Sequence, residues 1–295
     1  MAARTRLQIA KTDILKQFDE LPMKVFKQSD LARILTQERN FWRLAQRTNS
    51  TEFIEFLIRS GNLKHYTFNF PSRPAHAYAW GDVPFYEILL SLRPRSYFSY
   101  YTAVRIHGLT EQAPKTIYVT HEPTIHSARK RRPLTQEGID VAFRKPERST
   151  QEAVDYQNNR ICIINGAGTE MMGVIETQTS TDATTASVRV TNIERTLIDI
   201  TVRPGYAGGV AEVLKAFQEA KGKASTNRLK ALLEKLDYLY PYHQAIGFYL
   251  ERAGYSPSAI NLFRQIPQPF SFFLAHDISE TEYLREWNLH IPRGL

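Results

Sequence analysis

The sequence has almost no cysteine and no long apolar run, and both absences restrict what the protein can be. Its single cysteine, Cys162, excludes an internal disulfide, and its place in the apolar stretch 161–164 predicts a buried, unreactive thiol. No apolar stretch approaches the roughly 18 residues that a membrane-spanning helix needs. The N-terminus leads into mixed polar sequence without the apolar segment of a secretion signal. These features predict a cytoplasmic protein that has no membrane partner.

Signatures of catalysis are also missing. The glycine-containing segment 165–168 lacks the Lys-Ser/Thr of a phosphate-binding loop and the spacing of a dinucleotide site. There is no Gly-x-Ser-x-Gly, and no His or Cys pair has metal-ligand spacing. A restriction-type nuclease needs an Asp and a Glu-x-Lys on adjoining strands, but Glu176 is followed by Thr and Gln. The sequence therefore predicts no enzyme activity, no catalytic residue, no metal and no cofactor.

Positive charge is concentrated at the start of the chain. Residues 1–81 contain 13 Lys and Arg against 7 Asp and Glu, a net charge of +6. Residues 82–295 contain 25 and 23, a net charge of only +2. A localised basic excess is typical of a nucleic-acid-binding domain, although a solvated basic surface has the same composition. The pattern of elements beneath the charge has to distinguish the two.

The pattern over residues 1–81 predicts a winged helix. Apolar residues at helical spacing predict a first helix over 4–20, and Ser29 or Asp30 caps a second. The stretch from Arg39 to Gln46 either extends this second helix or forms a turn. The cap-forming run 48–51 starts a third helix, which continues to Ser60 and ends at Gly61 in the left-handed position. A hairpin then follows at 63–68 and 75–80.

The third helix of a winged helix enters the major groove of DNA through its N-terminal end. Asn and Arg there suit bidentate contacts with adenine and guanine, and the hairpin contacts phosphate or the minor groove. The alternative is a winged helix that docks on a protein, since Glu52 and Glu55 lie on the exposed face of the third helix and repel phosphates. The predicted DNA contacts are Arg47, Thr48, Asn49, Ser50 and Thr51 at the helix end, Arg43 if its stretch is helical, and Lys64, Arg73 and His76 on the hairpin.

The remainder, 82–295, is predicted to be a mixed α/β body. Pro84 begins a helix to about residue 92, and another begins at Ser99 or Tyr100 and stops at Gly108. Strands are predicted at 117–120, 139–143, 160–164, 173–177 and 187–190. Asn192 caps a helix at 193–202, and helices follow at 210–220, 226–237, 242–253 and 256–264, with edge strands around 270–275 and 287–291. The fold class is α+β, strand-rich over 82–191 and mostly helical over 192–295.

One basic run lies within the body. Arg129, Lys130, Arg131 and Arg132 are followed by a proline and fall between two predicted strands. This run extends the DNA footprint, contacts an acidic partner, or is simply a solvated loop.

Two segments of the body resemble the AbiEi family. The first, 99–112, reads Ser-x-x-Thr-Ala and then His-Gly-Leu-Thr-Glu-Gln, and it leads into a strand. The second, 194–199, reads Glu-Arg-Thr-Leu-Ile-Asp and is soon followed by Arg203-Pro204 and Gly208-Gly209. The resemblance extends over about residues 20–260. It implies an antitoxin of a bacterial type IV toxin–antitoxin system that represses its own operon and counters a co-encoded, nucleotidyltransferase-like toxin, with or without a stable complex.

The residues of these two segments have structural interpretations of their own. Glu194 near a helix N-terminus favours the helix dipole, and Arg195 can pair with Asp199 at i, i+4. Leu197, Ile198 and Ile200 would be buried. His107 is expected to be a hydrogen-bonded turn residue.

Three functions remain open from the sequence. The first is an autorepressor and antitoxin that binds inverted repeats in its own promoter as double-stranded DNA. The second is a stand-alone winged-helix regulator whose body senses a ligand or a protein. The third is a defence nuclease targeted by a winged helix. An adjoining toxin gene would distinguish the first from the second, and metal-dependent DNA cleavage would support the third.

Overall fold

The fold of the chain is α+β, as a computed structural model covering residues 5–123, 133–181 and 184–295 shows. The predicted fold class is confirmed at this level. The chain divides into two units. One contains residues 1–94 together with 178–188, and the other contains 95–177 together with 189–295.

The first unit consists mainly of short helices and a three-stranded sheet. Its elements are α1 (Arg6–Ile9), α2 (Lys11–Glu20), β1 (Val25–Phe26), α3 (Gln28–Glu38), α4 (Ser50–Ser60), β2 (Leu63–Phe68), β3 (Ala75–Trp80) and α5 (Phe85–Ser91). The sheet order is β1-β3-β2, and both pairings are antiparallel. The hairpin β2–β3 is in register from Leu63 opposite Trp80 to Phe68 opposite Ala75.

An aromatic cluster forms the core of this unit. The ring of Phe18 lies 5.6 Å from that of Phe26, 6.2 Å from that of Phe53 and 4.9 Å from that of Trp80. The indole Nε1 of Trp80 donates to the carboxylate of Asp19 at 2.7 Å, so the one polar atom of the ring has a partner. This cluster therefore joins α2, β1, α4 and β3.

The glycine after α4 differs from the sequence expectation. Gly61 has an extended backbone, with φ of −131°, and does not adopt the left-handed conformation. A Cβ atom at this position would lie 2.8 Å from the ring of Trp80 and 2.9 Å from Leu15. Glycine is therefore required here because of space and not because of handedness.

The second unit contains most of a six-stranded mixed sheet. The strands of this sheet are β4 (Ser96–Phe98), β5 (Thr116–His121), β6 (Ala153–Tyr156), β7 (Asn159–Asn165), β8 (Val174–Thr181) and β9 (Thr184–Thr191), in the order β6-β7-β5-β4-β9-β8. Residues 178–188 of β8 and β9 belong to the first unit. Strands β5 and β7 are parallel, and β4 pairs antiparallel with β5 and parallel with β9. Cys162 on β7 is buried, as predicted.

Helices and a small sheet complete the second unit. The elements are α6 (Tyr100–Ile106), α7 (Gln136–Phe143), α8 (Ile193–Val202), α9 (Val210–Glu219), α10 (Thr226–Leu236), α11 (Tyr242–Arg252), α12 (Pro257–Arg264), β10 (Phe272–Phe273), β11 (Thr281–Leu284) and β12 (Leu289–Pro292). Helix α8 is the central one, because α6, α9, α10 and α11 all contact it. Leu197, Ile198 and Ile200 on α8 are completely buried, as predicted.

Most of the predicted helices and strands are present. Their boundaries depend on local hydrogen bonds at the helix ends. Asn192 caps α8, since its side chain accepts from the backbone N–H of Arg195 at 2.8 Å. The predicted first helix is divided at Ala10 into α1 and α2. Helix α3 begins at Gln28, one residue before the expected cap, because the Asp30 carboxylate accepts from the N–H of Lys27 at 2.9 Å. Asp30 is therefore the third residue of the helix and not its cap.

The predicted strand at 139–143 is wrong, since this stretch is part of α7. Thr135 caps the helix by accepting from the N–H of Gly138 at 3.1 Å. Ile139 and Phe143 are four residues apart and are both buried, which is one face of a helix. The short apolar run was equally compatible with either period.

Across the described ranges, none of the helices combines the length and the apolar character that crossing a membrane requires.

Candidate nucleic-acid interface

The N-terminal end of α4 presents polar residues at a fixed helix end. Asn49 caps the helix, because its Oδ1 accepts from the N–H of Glu52 at 2.9 Å. The apolar face of α4 is buried in the core of the first unit. Arg47, Asn49 and Thr51 are exposed, and Ser50 is half-buried. A helix end of this kind directs backbone N–H groups and the positive end of the helix dipole outward, which favours anions.

The segment before α4 is held in place by one arginine. The Arg39 guanidinium donates to the backbone carbonyls of Ala45 at 2.6 Å, Gln46 at 3.3 Å and Thr48 at 2.9 Å. Trp42 is buried, with its ring 5.6 Å from that of Phe53 on α4. These contacts attach the turn to the N-terminal end of α4.

Arg43 does not lie on a helix. The stretch 39–47 forms turns, and Arg43 has a positive φ of 50°, the left-handed region that bulky residues seldom adopt. Its phosphate contact is predicted only if this stretch is helical, and the stretch is not helical. The side chain is nevertheless exposed in the turn that precedes α4.

Two of the predicted contacts have structural roles at this helix end. Thr48 is only 6% exposed, so little of it is accessible to a ligand. Asn49 uses its Oδ1 as the helix cap, and a bidentate contact with adenine needs that same oxygen. Arg47, Ser50 and Thr51 thus remain as the side chains available for contact.

The two carboxylates of α4, on Glu52 and Glu55, lie in different environments. Glu55 pairs with Arg59 at 2.8 Å, one turn further along the helix. Glu52 is exposed in the first turn, close to the polar end. Glu55 is therefore paired within the helix, whereas the exposed carboxylate of Glu52 would repel an anion that approached the helix beyond its first residues.

The hairpin β2–β3 carries the other predicted contacts. Lys64 pairs with Asp82 at 2.5 Å, and this hydrogen bond and attraction raise the pKa of the lysine. Nδ1 of His76 lies 3.2 Å from Nε2 of His65 and 3.2 Å from the hydroxyl of Thr67. Burial lowers the pKa of His65, and the nearby His76 adds to this effect. Arg73 is exposed in the loop between the strands.

The basic run Arg129, Lys130, Arg131 and Arg132 lies outside the described residues.

In the second unit, the 194–199 segment forms a buried ion pair. Nε of Arg195 lies 2.7 Å from Oδ1 of Asp199, and both side chains are 6% exposed. Arg195 also donates to the carbonyl of Met172 at 2.8 Å. Burial opposes the charge of Arg195, but the Asp199 carboxylate outweighs it and raises the pKa of the guanidinium. The predicted i, i+4 pair is thus confirmed, and it lies inside the unit.

Glu122 is a buried acid that the sequence pattern did not indicate. Its carboxylate accepts from the hydroxyl of Tyr97 at 2.8 Å and from the N–H groups of Thr169 at 2.9 Å and Met171 at 3.1 Å. Burial alone would raise the pKa of Glu122, but these hydrogen bonds and that from the Thr169 hydroxyl hold it below its usual range. Its partners lie far away in the chain, so no local signal identifies it.

Two further residues of the segments 99–112 and 194–199, His107 and Glu194, also have partners. Nε2 of His107 lies 2.6 Å from the carbonyl of Thr191, as expected for a hydrogen-bonded turn residue. The carboxylate of Glu194 accepts from the N–H of Ser225 at 2.9 Å and pairs with Arg228 at 3.0 Å. These contacts hold α8 to neighbouring elements of the second unit.

Comparisons with known proteins identify a solved structure with a similar fold. No protein-family model matches the chain, and no curated protein matches it. The solved structure of the RV2827C protein from Mycobacterium tuberculosis is similar, with a TM-score of 0.58 and 16% sequence identity, over 98% of this chain and 93% of that one. At this identity the similarity shows a shared fold and nothing further. Among the described residues, no group of three or more His, Cys, Asp or Glu side chains is placed to hold a metal ion.

Proposed function

We propose that the first unit is a winged helix that binds duplex DNA through the N-terminal end of α4. The observation that carries this proposal is the segment 39–51, which contains three arginines and no carboxylate and leads into a capped, amphipathic helix. Three helices and β1 precede α4, and a hairpin follows it. With α1 and α2 taken together as the first helix, this is the element order of a winged helix.

The proposed DNA contacts differ in the group of the DNA that each residue would bind. Arg47 is suited to a guanine edge or a phosphate, and Ser50 and Thr51 to phosphates beside the helix N-terminus. Arg73, in the hairpin loop, contacts phosphate or the minor groove. Lys64 contributes less, because Asp82 already neutralises it.

The AbiEi-like segments extend the proposal to the biological role. We infer a transcriptional repressor of its own operon that also acts as the antitoxin of a type IV system, against a nucleotidyltransferase-like toxin. The role is one of binding without catalysis. A promoter with inverted repeats would hold two copies of the protein, since operator symmetry mirrors protein symmetry. The second candidate is a stand-alone regulator whose body responds to a ligand or a protein.

The first experiment is a footprint on the DNA upstream of the protein's own gene, together with selection of bound duplexes from a random library. Arg47→Ala is compared with Arg59→Ala, which removes an arginine from the other end of the same helix. We expect a discrete footprint that Arg47→Ala weakens and Arg59→Ala leaves intact. We also expect Arg47→Ala alone to reduce the slope of log affinity against log salt by about 0.9, the value for one lost phosphate contact.

Two other outcomes of this experiment would contradict different parts of the proposal. Equal losses in the two arginine variants would mean that general charge and not the helix end is responsible. An absence of any duplex binding would contradict the DNA-binding proposal and favour a protein-docking role for the first unit.

The antitoxin role needs a separate test. The neighbouring gene is expressed alone and with this chain, and growth is measured. Growth arrest that this chain relieves supports the antitoxin proposal, and DNA binding without such relief supports the stand-alone regulator.

A further inference from the structure

A large aromatic side chain is exposed in the turn that precedes the candidate helix end. The side chain of Phe41 is 71% exposed, and its chain neighbour Trp42 is buried. The alternation continues through Arg43, which is exposed, to Leu44, which is buried. The turn therefore exposes one aromatic ring and one guanidinium two residues apart in the sequence.

The exposure of Phe41 is imposed by the structure of the turn. The N–H of Trp42 donates to the carbonyl of Glu38 at 3.0 Å, and that of Leu44 to the carbonyl of Arg39 at 3.0 Å. Between them, Arg43 holds the left-handed backbone conformation, with φ of 50°. A strained residue persists only where its surroundings enforce it, and such residues concentrate at functional sites.

The charge around Phe41 indicates the kind of partner. The segment 39–51 has no acidic residue, and Arg43 and Arg47 are exposed in it, whereas Arg39 is bound to backbone carbonyls. A surface that combines cations with one apolar ring fits a partner that presents anions next to apolar groups. Duplex DNA has this arrangement, because its phosphates border the deoxyribose rings and the thymine methyl groups.

We propose that Phe41 contacts DNA directly, with its ring packed on an apolar surface of the duplex beside phosphates bound by Arg43 and Arg47. The apolar surface is either a thymine methyl group or the face of a deoxyribose. This inference rests on the proposed DNA-binding function and names a specific contact within it. Phe41 supplies affinity that does not depend on salt, whereas the arginines supply affinity that does.

The experiment measures affinity for the selected duplex at several salt concentrations with the full chain. Phe41→Ala is compared with Arg43→Ala and with Ile58→Ala. Ile58→Ala removes an exposed apolar side chain that lies about 12 Å along α4 from its first residue, Ser50. Phe41→Ala should bind about tenfold more weakly at every salt concentration, with an unchanged slope. Arg43→Ala should reduce the slope by about 0.9. Ile58→Ala should bind as the wild type does.

A second arm identifies which apolar surface is involved. The duplex is prepared with deoxyuridine in place of thymidine, which removes only the methyl groups. If wild type binds the deoxyuridine duplex no more tightly than Phe41→Ala does, the contact is with thymine. If Phe41→Ala remains weaker on both duplexes, the contact is with deoxyribose.

Two results would overturn the inference and leave DNA binding intact. One is equal affinity of Phe41→Ala and wild type for the duplex, with Arg47→Ala still weakened. The other is a change in oligomeric state on sedimentation that accounts for the whole loss of affinity in Phe41→Ala. Loss of binding by every protein, wild type included, would instead contradict the proposed function itself. The melting temperature of Phe41→Ala should equal that of wild type, since the side chain is exposed.

Discussion

Single residues show how the second unit accommodates polar groups in its interior. The Arg195–Asp199 pair was predictable from spacing alone, but its burial and the bond from Arg195 to Met172 were not. Glu122 was not predictable, since its hydrogen-bond donors come from β4 and from residues near 170. Such groups stabilise the fold only while every partner is present, because an unpaired buried charge is strongly unfavourable.

Arg195→Met should therefore destabilise the protein by about 3–5 kcal/mol, because it leaves Asp199 buried without its partner. The double variant Arg195→Met/Asp199→Leu should recover part of this loss, since it removes both charges. Urea unfolding of the two variants and of wild type measures the effect. A single variant within about 0.5 kcal/mol of wild type would contradict the structural role of the pair.

His243 should make the stability of the protein depend on pH. Burial lowers the pKa of His243 to about 4, and within the part of the chain that the structure describes its Nε2 is buried without a hydrogen-bond partner. The unfolded state, with a histidine pKa of about 6.5, binds this proton more readily than the folded state. The stabilisation is therefore present above about pH 6.5 and is lost as pH falls towards 4, by up to about 3 kcal/mol.

The measurement is the free energy of unfolding at pH 7 and pH 5 for wild type and His243→Gln. Wild type should lose more stability than the variant between the two pH values. Parallel losses in the two proteins would show that His243 is not responsible.

Among the elements, α11 shows that packing outweighs helix propensity. Gly247 lies within this helix, where alanine is normally favoured by about 1 kcal/mol. A Cβ atom there would lie 2.1 Å from the ring of Trp287. That ring is completely buried and is fixed by a hydrogen bond from its Nε1 to Glu251 at 2.6 Å. The close approach of Trp287 therefore requires glycine.

Gly247→Ala should consequently destabilise the protein by about 1–3 kcal/mol, although it raises helix propensity. Thermal unfolding of wild type and variant measures this. Replacing Trp287 with Leu in the same chain makes room for the methyl group, so the alanine substitution should be less harmful in that background. An alanine variant as stable as wild type would mean that the Trp287 ring moves without penalty.

On the scale of the whole molecule, neither unit is a continuous piece of chain. Residues 178–188 belong to the first unit, although they lie within the sequence of the second. Ala186 and Val188 in this segment are buried, and the N–H of Ser187 donates to the carboxylate of Glu87 at 3.1 Å. A fragment that ends at residue 94 therefore lacks part of its own unit.

We expect the amides of β2 and β3 to exchange with deuterium faster in a 1–94 fragment than in the full chain. Joining residues 178–188 to the fragment through a flexible linker should restore part of the protection. Hydrogen exchange with mass spectrometry measures both. Equal protection in the fragment and in the full chain would show that the 178–188 segment is dispensable for the first unit.

The sequence by itself determined the elements in which hydrophobic period and capping residue agree, such as α8 behind Asn192 and α4 behind Asn49. It also located the basic charge in residues 1–81, because charge is a property of composition. Only the tertiary structure decided that 139–143 is helical, that Gly61 is needed for space, and that Phe41 is exposed while Trp42 is buried. Each outcome also involves a residue further along the chain, since Phe143 packs on Phe272, Gly61 lies against Trp80, and Trp42 packs on Phe53. A local pattern contains no information about which distant residues will meet.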